Sequence, residues 1–149
     1  MITTLQQLLR DGRLRRQATS ASEIADLLKI VERDLADARI QALSADRRFA
    51  TAYNATLQLA TVVLRAEGLR TRGSGHHHTT IRALPLVLGE SVGGTADYLD
   101  ACRSRRNTLD YHGIGIATEA DVAELIEEAP AGVCDRVASG GPPGTRMST

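Results

Sequence analysis

The chain has 149 residues, which is enough for one compact domain with its own hydrophobic core. Its 18 basic and 18 acidic residues balance, so the overall charge does not point to a nucleic-acid, membrane or acidic partner. The two cysteines, Cys102 and Cys134, are too few for a disulfide framework and lack the spacing of a metal site, and no apolar run approaches the roughly 18 residues of a transmembrane helix.

The first half of the chain has the apolar periodicity of helices and no β-hairpin signal. A short amphipathic segment covers residues 5–14. Residues 20–23, Ser-Ala-Ser-Glu, form a capping box that predicts a helix running to about Leu43. Ser44 then caps a second long helix that ends at Gly68. Its apolar spacing predicts an inward stripe of six residues: Phe49, Ala52, Tyr53, Thr56, Ala60 and Val63. Because almost no loop separates these two helices, they are predicted to pack antiparallel.

A polar loop over residues 70–78 leads into a short helix, which Thr79 or Thr80 is expected to cap and Gly89 to close. Pro85 lies inside this helix and predicts a bend or an early end. Its nearly continuous apolar residues suit the core, although they would equally suit an interface between two subunits.

A further helix is predicted from Thr95 to a glycine stop at Gly113, and Thr118 is expected to cap the last one. The predicted fold is all-α, an up-and-down bundle of about four main helices with short satellite helices. We expect a single domain over residues 1–130 and a disordered tail over residues 131–149. The opening residues lack a signal-peptide pattern, so we expect a cytoplasmic protein.

The helix from Thr95 carries an arginine on its inward side. At 100° per residue, one stripe contains Leu99, Cys102, Arg106 and Leu109, with Tyr98 at its margin. Burying an unpaired guanidinium costs several kcal/mol, so Arg106 needs either a partner or a function.

Arg106 is followed by the polar residue Asn107 and, after five intervening residues, by His112. This pattern, near the end of a late helix in an all-helical bundle, resembles the signature of the HEPN superfamily. By architecture the resemblance covers roughly residues 20–129, but the motif alone is diagnostic. Many members of that family are ribonucleases that need neither a metal ion nor a cofactor and that act as homodimers, with two motifs facing each other across a cleft.

The resemblance implies a role for each residue of the motif. His112 would move a proton between the attacking 2′-hydroxyl and the leaving 5′-oxygen of RNA, since imidazole titrates near neutral pH. Arg106 would hold the scissile phosphate and Asn107 would position the phosphate or the ribose. The family also implies a possible partner, a small nucleotidyltransferase that acts as the antitoxin to a toxin-like ribonuclease.

Further candidates surround the motif. We expect Arg103, Arg105, Tyr111 and His77 to contact the substrate, His77 from a basic loop beside the cleft. Although His77 lies in a run of three histidines, successive loop side chains rarely converge on one ion, so we expect no metal site.

Several alternatives stay open. Positions 106 and 112 are about 120° apart on an ideal helix, so they converge only if the helix unwinds near Gly113 or if a second subunit supplies one of them. Arg105 also satisfies the loose spacing, and some branches of the family use a tyrosine, which here would be Tyr111.

The motif also has two non-enzymatic interpretations. The cleft would bind RNA, a nucleotide or a protein without cutting, or the chain would be a structural dimer in which Arg106 pairs with an acid such as Asp110 or Glu67.

Overall fold

A computed structural model of the chain describes residues 3–72, 75–112 and 114–139, without the side chains of residues 109–112, 129 and 134–139. The described residues form a mostly helical bundle with one small two-stranded ribbon, so the all-α prediction is confirmed. In chain order the elements are α1 (Leu5–Arg10), β1 (Leu14–Arg16), α2 (Ala21–Ala38), α3 (Ala45–Ala66), β2 (Leu69–Thr71), α4 (His76–Leu88), a short 3-10 turn (Glu90–Val92), α5 (Gly93–His112) and α6 (Glu119–Ser139).

Helix α3 lies at the centre of the bundle and contacts α2, α4, α5 and α6. The six residues predicted to form its inward stripe are all buried: Phe49, Ala52, Tyr53, Thr56, Ala60 and Val63. Its most extensive partner is α2, to which only residues 39–44 connect it. A helix pair joined by so short a connection packs antiparallel, as predicted.

Three predicted helix caps are present. The Ser20 hydroxyl accepts the Glu23 N–H while the Glu23 carboxylate accepts the Ser20 N–H. Ser44 accepts a backbone N–H at the start of α3, and Thr118 exchanges two hydrogen bonds with Asp121 at the start of α6. These caps satisfy backbone donors that have no partner inside the helix.

Helices α2 and α4 each differ from the prediction at one boundary. Helix α2 ends at Ala38 rather than Leu43, because the apolar residues of the connection, including Leu43, are exposed and do not extend its buried face. Helix α4 begins at His76, preceded by Gly75 in the left-handed conformation, so the predicted loop ends earlier. Thr79 and Thr80 are buried inside α4, where each hydroxyl donates to the carbonyl four residues back instead of accepting a backbone N–H at a helix start.

The ends of α1 and α4 depend on two glycines. The predicted 5–14 segment is helical only to Arg10, and Gly12 at φ +76° turns the chain into β1. Helix α4 continues through Pro85 to Leu88 and closes at Gly89, so the predicted glycine stop is confirmed and no early end occurs. The apolar residues of α4 are largely buried within the chain's own core.

The two strands were not predicted from the sequence. Strands β1 and β2 pair antiparallel, with Arg15 opposite Arg70. Each has three residues, and most of the chain between them is α2 and α3, so no local turn marks the pairing.

Helix α6 extends past the predicted domain boundary at residue 130. It continues through Pro130 to Ser139, and Val133 is buried in the core. Residues 140–149, the rest of the predicted tail, lie outside the described residues. Within the described part of the chain, no helix combines the length and the apolar character needed to cross a membrane.

Candidate functional site on helix α5

Helix α5 presents a mixed face to the bundle, as its sequence predicts. Leu99 and Cys102 are buried, Tyr98 is partly buried at the margin of the stripe, and Arg106 is also partly buried. The side chain of Leu109 lies outside the described residues. Arg106 therefore lies at the border between core and solvent, where its charge is not sealed from water.

Two successive arginines of α5 lie over aromatic rings of α3. The Cζ atom of Arg105 is 5.8 Å from the centroid of the Phe49 ring, and that of Arg106 is 5.9 Å from the centroid of the Tyr53 ring. Phe49 and Tyr53 are one helical turn apart and share a face of α3. Both distances fall within the range of cation–π attraction, which fixes the guanidinium positions.

Around Tyr53 the structure brings together His77, Arg103 and Arg106, and we call these four residues the Tyr53 cluster. The His77 ring lies 6.4 Å from the Tyr53 ring, centroid to centroid, and contacts His76 edge-on. Burial lowers the pKa of His77, and the nearby His76, Arg106 and Arg103 lower it further. His77 is therefore a neutral imidazole at pH 7 and can accept a proton or a hydrogen bond.

Asp100 holds one arginine of the cluster in place. Its carboxylate accepts a hydrogen bond of 2.9 Å from Nε of Arg103, and Nδ1 of His78 lies 3.0 Å from the same oxygen. Burial raises the pKa of Asp100, but the bonds from Arg103 and His78 outweigh that effect and leave it below its ordinary value. The ionised Asp100 thus joins α4 to α5 and holds the guanidinium of Arg103.

The Tyr53 hydroxyl lies at the bottom of the cluster. Tyr53 is 1% exposed, and within the described part of the chain its hydroxyl has no hydrogen-bond partner. Burial raises its pKa to about 12, although Arg103 and Arg106 act in the opposite direction. The hydroxyl is therefore protonated at neutral pH and can donate a hydrogen bond.

Arg105 is not part of this cluster. Its guanidinium pairs with Asp121 of α6 at 3.0 Å and lines a separate cleft of about 200 Å³ between α5 and α6. Arg105 is therefore separate from Arg103 and His77, because positions 103 and 105 are about 200° apart around the helix. Its expected contact with the substrate stays a prediction. Cys102 also lines this cleft, and burial raises the pKa of its thiol to about 11, which suits an unreactive core residue.

Of the remaining motif residues, the structure describes the side chain of Asn107 but not that of His112. Asn107 is exposed on α5. The side chains of His112 and Tyr111 lie outside the described residues, as does that of Asp110, the proposed partner of Arg106. Helix α5 is regular through His112, so no unwinding precedes that residue and positions 106 and 112 stay about 120° apart around the axis.

The sequence did not reveal how the end of α5 is anchored. Asp46, in the first turn of α3, accepts backbone N–H bonds of 2.7 Å from Gly115, 3.1 Å from Ile116 and 2.9 Å from Ala117. The bond from Ala117 is the main reason that the pKa of Asp46 is lowered, and it outweighs the opposing effect of burial. The sequence shows only that an acidic residue, Asp46, lies just after the helix cap Ser44.

A second unforeseen contact lies beside it. Arg48 is 4% exposed, donates from Nε to the carbonyl of Ala38 at 2.8 Å and forms an ion pair with Glu119 of α6. This buried arginine links the end of α2 to the start of α6. The connection between α5 and α6 is thereby held at both Asp46 and Glu119.

Among the described residues, no group of three or more His, Cys, Asp or Glu side chains is placed to hold a metal ion. His76, His77 and His78 begin α4 rather than forming a loop, so they point in different directions around it.

Comparison of the chain with protein-family models, with curated proteins and with solved structures found no match in any of the three. The functional interpretation therefore rests on the geometry of the Tyr53 cluster and on the motif in α5.

Proposed function

We propose that this chain is a HEPN-like protein that cleaves RNA without a metal ion. The observation that supports it is the Tyr53 cluster, in which two guanidinium groups and a neutral imidazole meet at a partly exposed surface. Arginine forks suit phosphate oxygens, and a neutral imidazole beside them suits proton transfer or hydrogen bonding to a ribose.

The proposed reaction uses the ribose next to the scissile bond. The 2′-oxygen attacks phosphorus while the bond from phosphorus to the 5′-oxygen breaks, which gives a 2′,3′-cyclic phosphate and a free 5′-hydroxyl. His112 takes the proton from the 2′-hydroxyl and returns it to the 5′-oxygen. Arg106 and Arg103 stabilise the charge that develops on the phosphate, and the exposed Asn107 contacts the phosphate or the ribose.

A homodimer is part of the proposal. Because α5 is regular through His112, Arg106 and His112 of one chain lie on different sides of the helix. A second copy related by a two-fold axis places the His112 of each subunit opposite the Arg106 of the other. The site is then complete only in the assembly.

The proposal extends to the setting in which the protein acts. We place it in the cytoplasm as the toxin-like member of a pair. Its partner would be a small nucleotidyltransferase that covers or modifies the site, with the hydroxyl of Tyr111 as the group to examine.

A non-catalytic RNA-binding module is the second candidate. It is favoured by the separation of about 120° between positions 106 and 112 on α5. A chain that does not dimerise would bind the phosphate through its arginines but would have no histidine opposite them. The basic and aromatic character of the Tyr53 cluster would still bind a nucleic-acid backbone.

A cleavage assay tests the enzyme proposal. Purified protein is incubated with mixed RNA in excess EDTA and compared with Arg106→Ala and His112→Ala, with Arg47→Ala, an exposed arginine of α3, as the matched control. We expect the first two variants to lose at least about a hundredfold in rate and the control to keep its activity.

The other outcomes are equally informative. The binding module would be identified if the protein binds RNA without cleaving it. In that case Arg106→Ala should weaken RNA binding about tenfold and Arg47→Ala should not. If Arg106→Ala only lowers the melting temperature and neither binding nor cleavage depends on it, the arginine is a packing residue and the proposal fails.

A further inference from the structure

A second basic site lies away from the Tyr53 cluster. Arg15 of β1, Arg65 near the end of α3 and Arg70 of β2 line a pocket of about 190 Å³, which we call the arginine pocket. Thr61 and Thr80 complete much of its wall. Tyr53 and Arg65 are 12 positions apart on α3, which is about 18 Å along the helix axis, so the two sites are separate.

The three arginines of this pocket repel one another. Arg15 and Arg70 are directly opposed across the antiparallel ribbon, so their side chains share one face of it. Like charges in that position destabilise a strand pair. Burial lowers the pKa of Arg65, and the charge of Arg70 lowers it further, against the opposing effect of Glu23.

The carboxylate of Glu23 offsets part of this charge. Glu23 accepts a bond of 3.2 Å from a terminal nitrogen of Arg70, and the same oxygen also accepts the Ser20 N–H of its own helix. The Nε of Arg70 is buried and has no hydrogen-bond partner in the described part of the chain. The guanidinium groups of Arg15, Arg65 and Arg70 thus exceed the Glu23 carboxylate by two charges.

We propose that the arginine pocket binds a phosphate group with two negative charges, such as inorganic phosphate or a terminal phosphomonoester. A phosphomonoester is close to a dianion at neutral pH and matches the excess charge, whereas a backbone phosphodiester carries one charge. Planar guanidinium forks supply paired donors to its oxygens. The Thr61 and Thr80 hydroxyls already donate to carbonyls of their own helices, so the arginines are the donors.

This inference is independent of the proposed ribonuclease function, since it uses no residue of the motif in α5. It also explains why a strand pair with opposed arginines persists in the fold. A bound dianion converts the mutual repulsion of Arg15, Arg65 and Arg70 into attraction to a common ligand.

The test is titration of the full chain with inorganic phosphate at constant ionic strength, followed by calorimetry and by the NMR signals of the arginine Nε–H groups. We expect saturable binding with one equivalent and a downfield shift of the Arg70 Nε–H. Arg15→Gln and Arg65→Gln should each weaken affinity at least tenfold. The matched control is Arg16→Gln, which removes an exposed charge from the other face of the ribbon and should change affinity less than twofold.

The same variants separate specific binding from the general stabilisation of proteins by phosphate salts, which every variant should retain. Without phosphate, Arg15→Gln should melt higher than the unmodified chain, because one repelling charge is gone. Binding that does not saturate, or that Arg16→Gln weakens as much as Arg15→Gln, would overturn the proposal.

A further comparison identifies the source of the phosphate. Two RNA oligonucleotides of one sequence, one with a 5′-phosphate and one with a 5′-hydroxyl, are titrated into the chain and into Arg65→Gln. A preference for the 5′-phosphate that Arg65→Gln abolishes assigns the pocket to RNA ends. Equal binding of the two RNAs, with inorganic phosphate still bound, assigns it to a small phosphorylated molecule.

Discussion

At the scale of single residues, the candidate site depends on how Arg106 and Tyr53 are stacked. Arg106 lies at the edge of the core, and the ring beneath it provides an attractive surface where an aliphatic residue would provide none. The Tyr53 hydroxyl is buried beside two guanidinium groups without a hydrogen-bond partner among the described residues. A buried donor of this kind costs stability in the free protein, and in the proposed RNA complex it would gain a bond.

Removing only that hydroxyl separates stability from binding. We expect Tyr53→Phe to raise the free energy of unfolding by about 1 kcal/mol, since an unsatisfied buried group disappears, and to weaken RNA binding severalfold. Urea unfolding and RNA titration measure the two effects. Tyr53→Leu is the control, because it also removes the ring and should cost about 3 kcal/mol. A destabilised Tyr53→Phe protein would mean that the hydroxyl already has a partner.

At the scale of elements, α5 is positioned by two ionised carboxylates, Asp100 of α5 itself and Asp46 of α3. Asp100 joins it to the first turn of α4, and Asp46 of α3 holds the segment that follows it. Three backbone N–H groups converge on Asp46, which is an unusually complete set of acceptor contacts for one carboxylate. The end of α5, where the motif lies, is therefore fixed by a residue about 70 positions earlier in the chain.

Replacing Asp46 should loosen this end of α5. We expect Asp46→Asn to lower the free energy of unfolding by about 2 kcal/mol at pH 7, because charged hydrogen bonds to three amides are weakened. The folded pKa of Asp46 lies below its ordinary value of 3.8, so its contribution is complete above that value and is lost as the pH falls through the folded pKa. The difference between the two proteins should therefore shrink below about pH 4.

Chemical unfolding from pH 7 to pH 2 checks this expectation. Asp26→Asn, which changes an exposed carboxylate of α2, is the control and should follow the unmodified chain at every pH. An unchanged difference between Asp46→Asn and the unmodified chain at low pH would show that the carboxylate charge is not what holds the segment.

At the scale of the whole molecule, the proposed chemistry requires two copies. A regular α5 keeps Arg106 and His112 of one chain apart, so a dimer with opposed motifs contains two composite sites. Each site would take its arginine from one subunit and its histidine from the other. Dimerisation would then be a condition of activity.

Mixing two inactive variants tests this arrangement. Arg106→Ala and His112→Ala chains are unfolded together and refolded, and RNA cleavage is measured beside sedimentation of the mixture. If sites are composite, half of the dimers are mixed and each keeps one intact site, so about a quarter of the original activity returns. If each chain carries its own complete site, both subunits stay inactive and nothing returns.

Much of the bundle was predictable because helix signals are local. The caps at Ser20, Ser44 and Thr118 and the stripe of α3 are readable over a few neighbouring residues, and all are present. The sequence-based predictions failed where one local pattern is compatible with two different structures. Thr79 and Thr80 suit a helix cap, but in α4 their hydroxyls bond to carbonyls one turn back.

The amino-acid sequence by itself determined the helical class, the order of the main helices and the placing of Arg106 on an inward face, because periodicity and capping act within one or two turns. Only the tertiary structure decided what that arginine meets. Tyr53 and His77 are 53 and 29 positions before it. Arg15 and Arg70 face each other across the ribbon, although two long helices separate them in the sequence. Such encounters follow from how whole helices pack, which no local pattern encodes.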